Sequence, residues 1–212
     1  MIHCQCHYFS KVLKNHVTVN VLLPSMNDVE CLFQGYDDVY PKNPKFKTLY
    51  LLHGALDDCN AWMRQTSVER YFEGSDIAIV MPSGQNGFYT DAKSGMDYFA
   101  FITEELPAFV RHIFPLSDQR EDNFIAGPSM GGYGAAKCAL RCPDKYAAYG
   151  CFSGAVDPGE LEPLMVGMGL DFFRYDLIFG GVDKVVGTPD DVFYLAKGLK
   201  DAGVKFLAFV TC

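Results

Sequence analysis

The sequence is short of positive charge, with 18 lysines and arginines against 26 aspartates and glutamates. A formal charge of −8 leaves no basic patch to neutralise phosphates, which argues against a nucleic-acid partner. No uninterrupted apolar run reaches the length that spans a bilayer, so no membrane partner is expected. The N-terminal stretch MIHCQCHYFSKVLKN lacks the basic start, apolar block and small-residue cleavage site of a signal peptide. The expected location is therefore the cytoplasm. Cys-x-x-Cys pairs are missing too, and no His-x(3–5)-His follows any cysteine, so the spacing excludes common zinc sites. The eight cysteines are expected as reduced, small core residues, with Cys4 and Cys6 on one face of a strand. Neither a metal nor any other cofactor is expected. One absence is local: His3, His7, His16, His53 and His112 all precede residue 129, and no histidine follows it.

What is present fits an ordinary globular domain. Hydrophobic residues make up 49% and charged residues 21%, enough to build a core in a chain of 212 residues. HCQCHYFS and HVTVNVLLP read as an N-terminal hairpin joined around Leu13 to Asn15. After a polar, turn-rich segment, TLYLLHG, DIAIVMPSG, NFIAG and KYAAYGCFSG read as buried strands, and GVKFLAFVTC as a fifth strand. Helical spacing runs from about Asn60 to Phe72, and over residues 95–113 with a kink or reset at Pro107. Another helix is expected from Met130 to about Arg141. Alternation at this rhythm predicts one α/β domain over residues 1–212, with a mostly parallel sheet and helices on both faces.

The chemistry concentrates at Gly127-Pro128-Ser129-Met130-Gly131, a G-x-S-x-G pattern between a buried strand and a helix rich in small residues. In a nucleophile elbow the serine occupies a strained strand-to-helix turn, which lifts its hydroxyl above the sheet. The helix N-terminus then favours negative charge on a tetrahedral intermediate, and the Met130 amide would donate to it. A second donor is needed from the loop after an earlier strand. Leu52-His53-Gly54-Ala55 fits, with the Ala55 amide facing the oxyanion. His53 precedes the serine, and in this architecture the base follows it, so His53 is read as shaping the loop and as a candidate substrate contact.

These segments resemble the esterase D and tributyrin esterase branch of the α/β-hydrolases, which includes S-formylglutathione hydrolases and feruloyl esterases. Mycolyltransferases are more distant relatives. The resemblance runs through TLYLLHGALDDCNAWMRQTSVERY, IAIVMPSGQNGFYTD, FITEELP, FPLSDQREDNFIAGPSMGGYGA and FSGA, almost continuously from residue 48 to 155. It implies an α/β-hydrolase fold with Ser129 as catalytic nucleophile and the Ala55 and Met130 amides as the oxyanion hole. It also places Trp62, Phe88 and Tyr89 near the site; with Leu56, which directly follows Ala55, and Tyr133 they are candidate substrate contacts. For the aromatics, and for Tyr133 in the elbow helix, packing is the competing role, favoured at Trp62.

A serine needs a base, and the base an orienting acid. The resemblance implies that both follow the strand KFLAFVTC, with a further strand and helix. The expectation is thus a domain incomplete at its C-terminus, of low activity as it stands. Asp157 is a weak candidate for a displaced acid, while Asp183, Asp190 and Asp191 read as loop and helix-start residues. The expected function is hydrolysis of short acyl or aryl esters, a small-molecule partner. S-formylglutathione hydrolysis and a non-catalytic binding role are the alternatives. Homo-oligomerisation stays open, and an uncovered apolar edge around Val204–Val210 would favour association. Residues 156–179, including Met165, Met168, Phe172 and Phe173, form either a cap over an acyl pocket or a helix packed on the sheet.

Overall fold

The computed structural model describes residues 1–170 and 173–212. Apolar residues in strict succession, rather than in alternation, build the centre of the sheet. In the strand Ile77–Pro82, Ala78 and Val80 enter one core while Ile79 and Met81 enter the other. Both faces of that strand are therefore dry, as a parallel strand between helical layers requires.

Seven strands form one sheet: β1 (Ile2–Ser10), β2 (Asn15–Leu23), β3 (Lys47–Leu51), β4 (Ile77–Pro82), β5 (Asn123–Pro128), β6 (Ala148–Phe152) and β7 (Leu207–Thr211). Their spatial order is β1-β2-β4-β3-β5-β6-β7. β1 and β2 form the expected antiparallel hairpin, β2 runs antiparallel to β4, and the remaining pairs are parallel. The hairpin is tied to the body at its turn. Glu105 accepts from Ser10 Oγ at 2.5 Å and from the amides of Lys11 and Val12 at 2.7 and 3.0 Å.

Two expected helices differ in detail. The segment after Asn60 forms two short helices, Ala61–Gln65 and Val68–Tyr71, rather than one. Thr66 separates them: its hydroxyl donates to the Trp62 carbonyl at 2.6 Å, and the Val68 amide donates to that hydroxyl at 3.1 Å. A side chain that takes over local backbone groups stops the helix. Around Pro107 the helix continues instead of kinking sharply, through a π-helical turn over Phe101–Glu105 into the helix Leu106–Ile113. Proline has no N–H for the Thr103 carbonyl four residues earlier, and Lys145 Nζ donates to that carbonyl at 3.0 Å.

The elbow helix spans Met130–Arg141, and all but its last residue are buried. Residues 156–179 contain the helices Pro158–Gly167 and Tyr175–Phe179. Phe173 is buried in the core and Met165 packs against it, whereas Leu164, Val166 and Met168 are exposed. Phe172 lies outside the described residues. No helix among the described residues is long and apolar enough to cross a membrane. All eight cysteines are free thiols, with Cys59, Cys138 and Cys151 buried.

Candidate active site

β5 ends at Pro128 and the elbow helix begins at Met130, leaving one residue to turn the chain. That residue, Ser129, has φ 51° and ψ −119°, a combination that side chains rarely adopt. Such a backbone costs about 1–3 kcal/mol and persists only where its surroundings hold it. Here three hydrogen bonds do so. The Ser129 amide donates to the Phe152 carbonyl at 2.9 Å, and the Ser129 carbonyl accepts from Tyr133 at 3.1 Å and Ala155 at 3.0 Å. The Ser153–Ala155 turn after β6 thus helps to fix the elbow.

Close approach of backbones explains the flanking glycines. A methyl group on Gly127 would stand 2.6 Å from the Gly131 carbonyl carbon. One on Gly131 would stand 2.7 Å from the His53 carbonyl oxygen and 2.9 Å from that of Leu52. The elbow helix therefore lies directly against the His53–Ala55 loop. Gly54 borders the serine itself, since a methyl group there would be 3.8 Å from Ser129 Cβ. Ser129 is exposed, and no described side chain hydrogen-bonds its hydroxyl. No acceptor within the described residues takes the amides of Met130 or Ala55. A free donor at the first helical position is what a helix N-terminus supplies.

His53 is buried, and both ring nitrogens are engaged. Its Nδ1 is 2.6 Å from the Gly54 carbonyl and must carry the proton, while Nε2 accepts from the Gly84 amide at 2.8 Å. Burial pushes its pKa below the ordinary imidazole value, against the opposing hydrogen bond to Gly54. His53 is thus a neutral strut of the loop and holds no lone pair for the serine proton.

The other sequence candidates divide by depth. Leu56 is 70% exposed with φ 65° and stands at the loop tip, its amide bonded to Asn86 Oδ1 at 2.8 Å. Trp62 packs against the core beside Leu51 and Met81 and donates its indole N–H to the Leu52 carbonyl at 3.0 Å. Phe88, Tyr89 and Tyr133 are at most 1% exposed, so the substrate contact expected of them gives way to support from behind the site. Phe88 meets the rings of Tyr133, Tyr175 and Phe179.

No histidine among the described residues hydrogen-bonds Ser129. His3 pairs with Asn20 and His7 with Thr18, both in the hairpin, and His112 lies in the last turn of the helix Leu106–Ile113. Asp157 caps the helix Pro158–Gly167 by accepting from the amides of Gly159 and Glu160. Asp191 caps the helix Val192–Asp201 in the same way, Asp183 pairs with Lys184, and Asp190 pairs with Lys137. Sequence reasoning passed over Lys137, a cation inside an otherwise small and apolar helix face.

A family model described as "Putative esterase" matches residues 10–191. The chain belongs to this esterase family. An acetyl esterase of Caldicellulosiruptor saccharolyticus is 31% identical over 200 residues, covering 92% of this chain and 73% of that protein. Among solved structures, the fluorophosphonate-binding serine hydrolase FphF of Staphylococcus aureus superposes with a TM-score of 0.86 at 32% identity. That match covers 100% of this chain and 78% of FphF. The S-formylglutathione hydrolase FrmB of Staphylococcus aureus gives a TM-score of 0.80 at 33% identity, covering 100% of this chain and 79% of FrmB. The fold is the α/β-hydrolase fold, and the esterase is a carboxylic-ester hydrolase by family.

Proposed function

We propose that this esterase is a serine carboxylesterase acting on short acyl or aryl esters through an acyl-Ser129 intermediate. The observation that carries the reading is the strained, exposed Ser129 at the head of the elbow helix, beside Gly54. Ser129 Oγ attacks the ester carbonyl, and the charge that develops on the carbonyl oxygen is met by the amides of Met130 and Ala55. Collapse of the tetrahedral intermediate breaks the ester C–O bond, and the alcohol leaves with the proton that the serine hydroxyl gives up. Water then cleaves the acyl-serine. Because no described imidazole reaches Ser129, the 212-residue polypeptide is expected to turn over slowly. Sites without a working triad retain on the order of 10³–10⁴ over water from the oxyanion hole and binding.

Labelling with a fluorophosphonate probe tests the reading. The expected adduct forms slowly for want of a base, sits on Ser129 and disappears in Ser129→Ala; an adduct that survives the substitution overturns the reading. Fast steady hydrolysis of 4-nitrophenyl acetate by the same polypeptide would contradict the expected slow turnover. Thioester cleavage is the second reading, supported by the 33% identity to FrmB across the whole chain. Comparing 4-nitrophenyl acetate with S-formylglutathione as acyl donors to Ser129 separates the two.

A further inference from the structure

Lys137 is the one lysine or arginine with no exposed surface among the described residues. It lies two helical turns beyond Ser129 in the elbow helix. An ammonium group is retained in a dry interior only when its donors are taken up. Lys137 Nζ has three donors and three acceptors: the Phe88 carbonyl at 3.4 Å, Thr90 Oγ1, and Asp190 Oδ1 at 3.1 Å. The Tyr133 ring lies 4.8 Å from the ammonium and adds a cation–π contact. Burial pushes the lysine pKa down, and Asp190 draws it back towards the charged form.

Two of the three acceptors belong to one strained turn. Phe88 and Tyr89 have φ of 50° and 49°, two successive left-handed residues without a glycine. The ammonium grips this turn on both sides of Tyr89, at the Phe88 carbonyl and at the Thr90 hydroxyl. The turn aims Tyr89 inward, and its hydroxyl donates to the His53 carbonyl at 2.9 Å. The ring is confined by two glycines: a methyl group on Gly84 would stand 2.3 Å from it, and one on Gly134 2.4 Å. The Gly84 amide in turn bonds His53 Nε2.

We infer that Lys137 is a positioning residue: by clamping the Phe88–Thr90 turn it holds Tyr89 against the His53 carbonyl and sets where the Ala55 amide stands beside Ser129. The inference rests on the reading of Ser129 as nucleophile and deepens it, assigning the placement of the second oxyanion donor to a cation on the elbow helix. Elbow and oxyanion loop then move as one unit, because the helix that begins at Ser129 also carries the clamp.

A double-mutant cycle tests this in the full chain, read by the second-order rate of fluorophosphonate labelling at Ser129. Lys137→Met and Tyr89→Phe are each expected to slow labelling about tenfold, less than outright loss of an oxyanion donor. The double variant should be no slower than either single one, since both act through the same hydroxyl. Multiplying effects, or an unchanged rate in Lys137→Met, overturn the inference. Should Lys137→Met fail to fold, Thr90→Val paired with Tyr89→Phe gives the same cycle with the same outcomes. Amide hydrogen exchange provides a readout independent of reactivity. Faster exchange at Leu56 and Gly84, whose amides bond Asn86 Oδ1 and His53 Nε2, in both single variants, with the elbow helix unchanged, supports the clamp; unchanged exchange there refutes it. Absence of any Ser129 adduct in the wild-type chain would count against the nucleophile alone and leave the exchange result to decide the clamp.

Discussion

The centre of the sheet and its β7 edge are built from equally apolar residues and have opposite surroundings. At the centre, β5 and the elbow helix meet β3 and the His53–Ala55 loop so closely that one added methyl group would collide with backbone. At the edge, every residue of β7 is exposed, with Leu207 at 72%, Phe209 at 63% and Val210 at 64%. The opposite edge is finished differently. β1 presents His3, Gln5 and His7, polar residues that pair with Asn20, Thr18 and one another. Polar edges discourage strand addition, whereas an apolar edge invites it. The same succession of apolar strand residues therefore builds a rigid site where neighbours exist and an exposed edge where they do not.

Substitution at the centre should have the largest effect. Gly131→Ala is expected to lose about 3 kcal/mol of stability in urea unfolding, at the upper end of ordinary overpacking, because the carbonyls of Leu52 and His53 cannot swing away. A loss under about 1 kcal/mol would mean that the loop yields and that the contact is less rigid than in the structure. Trp62→Phe keeps most of the ring packing and removes the indole donor to the Leu52 carbonyl. About 1 kcal/mol is expected by the same measurement.

Acidification should weaken the centre more gently. His53 has a lowered folded-state pKa, so below the ordinary imidazole value of about 6.5 the unfolded chain binds a proton that the folded one does not. Its contribution is complete above that pH and declines as the pH falls through 6.5 towards the folded-state value. Urea midpoints at pH 7.5 and 5.5 should show the decline, and His53→Gln should flatten it. The smallest change in stability is expected at the edge. Phe209→Lys should shift unfolding by no more than about 0.5 kcal/mol, as exposed sites do. It should, however, reduce concentration-dependent association in sedimentation, and equal association of both proteins would show that β7 is not the adhesive surface.

Much of this was readable in the sequence, because hydrophobic succession and small-residue clusters are local signals. NFIAG followed by PSMGGYGAA located the strand, the elbow and the helix from Met130 to Arg141. The break at Thr66 and the π-helical turn before Pro107 were not legible. The first depends on the Thr66 hydroxyl, which competes for a helix carbonyl, and the second on Lys145, distant in sequence, which takes up the carbonyl that Pro107 cannot. For Phe88, Tyr89 and Tyr133 the depth was hidden, since an aromatic ring suits a pocket wall and a core equally well.

The sequence by itself determined the α/β order of elements, the serine in its glycine-rich turn, and the lack of any histidine after it. Those properties reside in neighbouring residues and in the order of the chain. Only the tertiary structure decided that His53 is a neutral strut, that Tyr89 braces its carbonyl and that Lys137 grips the turn behind it. Those roles join residues 53 and 89, in two separate loops, to residue 137 in the elbow helix. Burial and hydrogen bonding between distant segments have no period and no spacing to read.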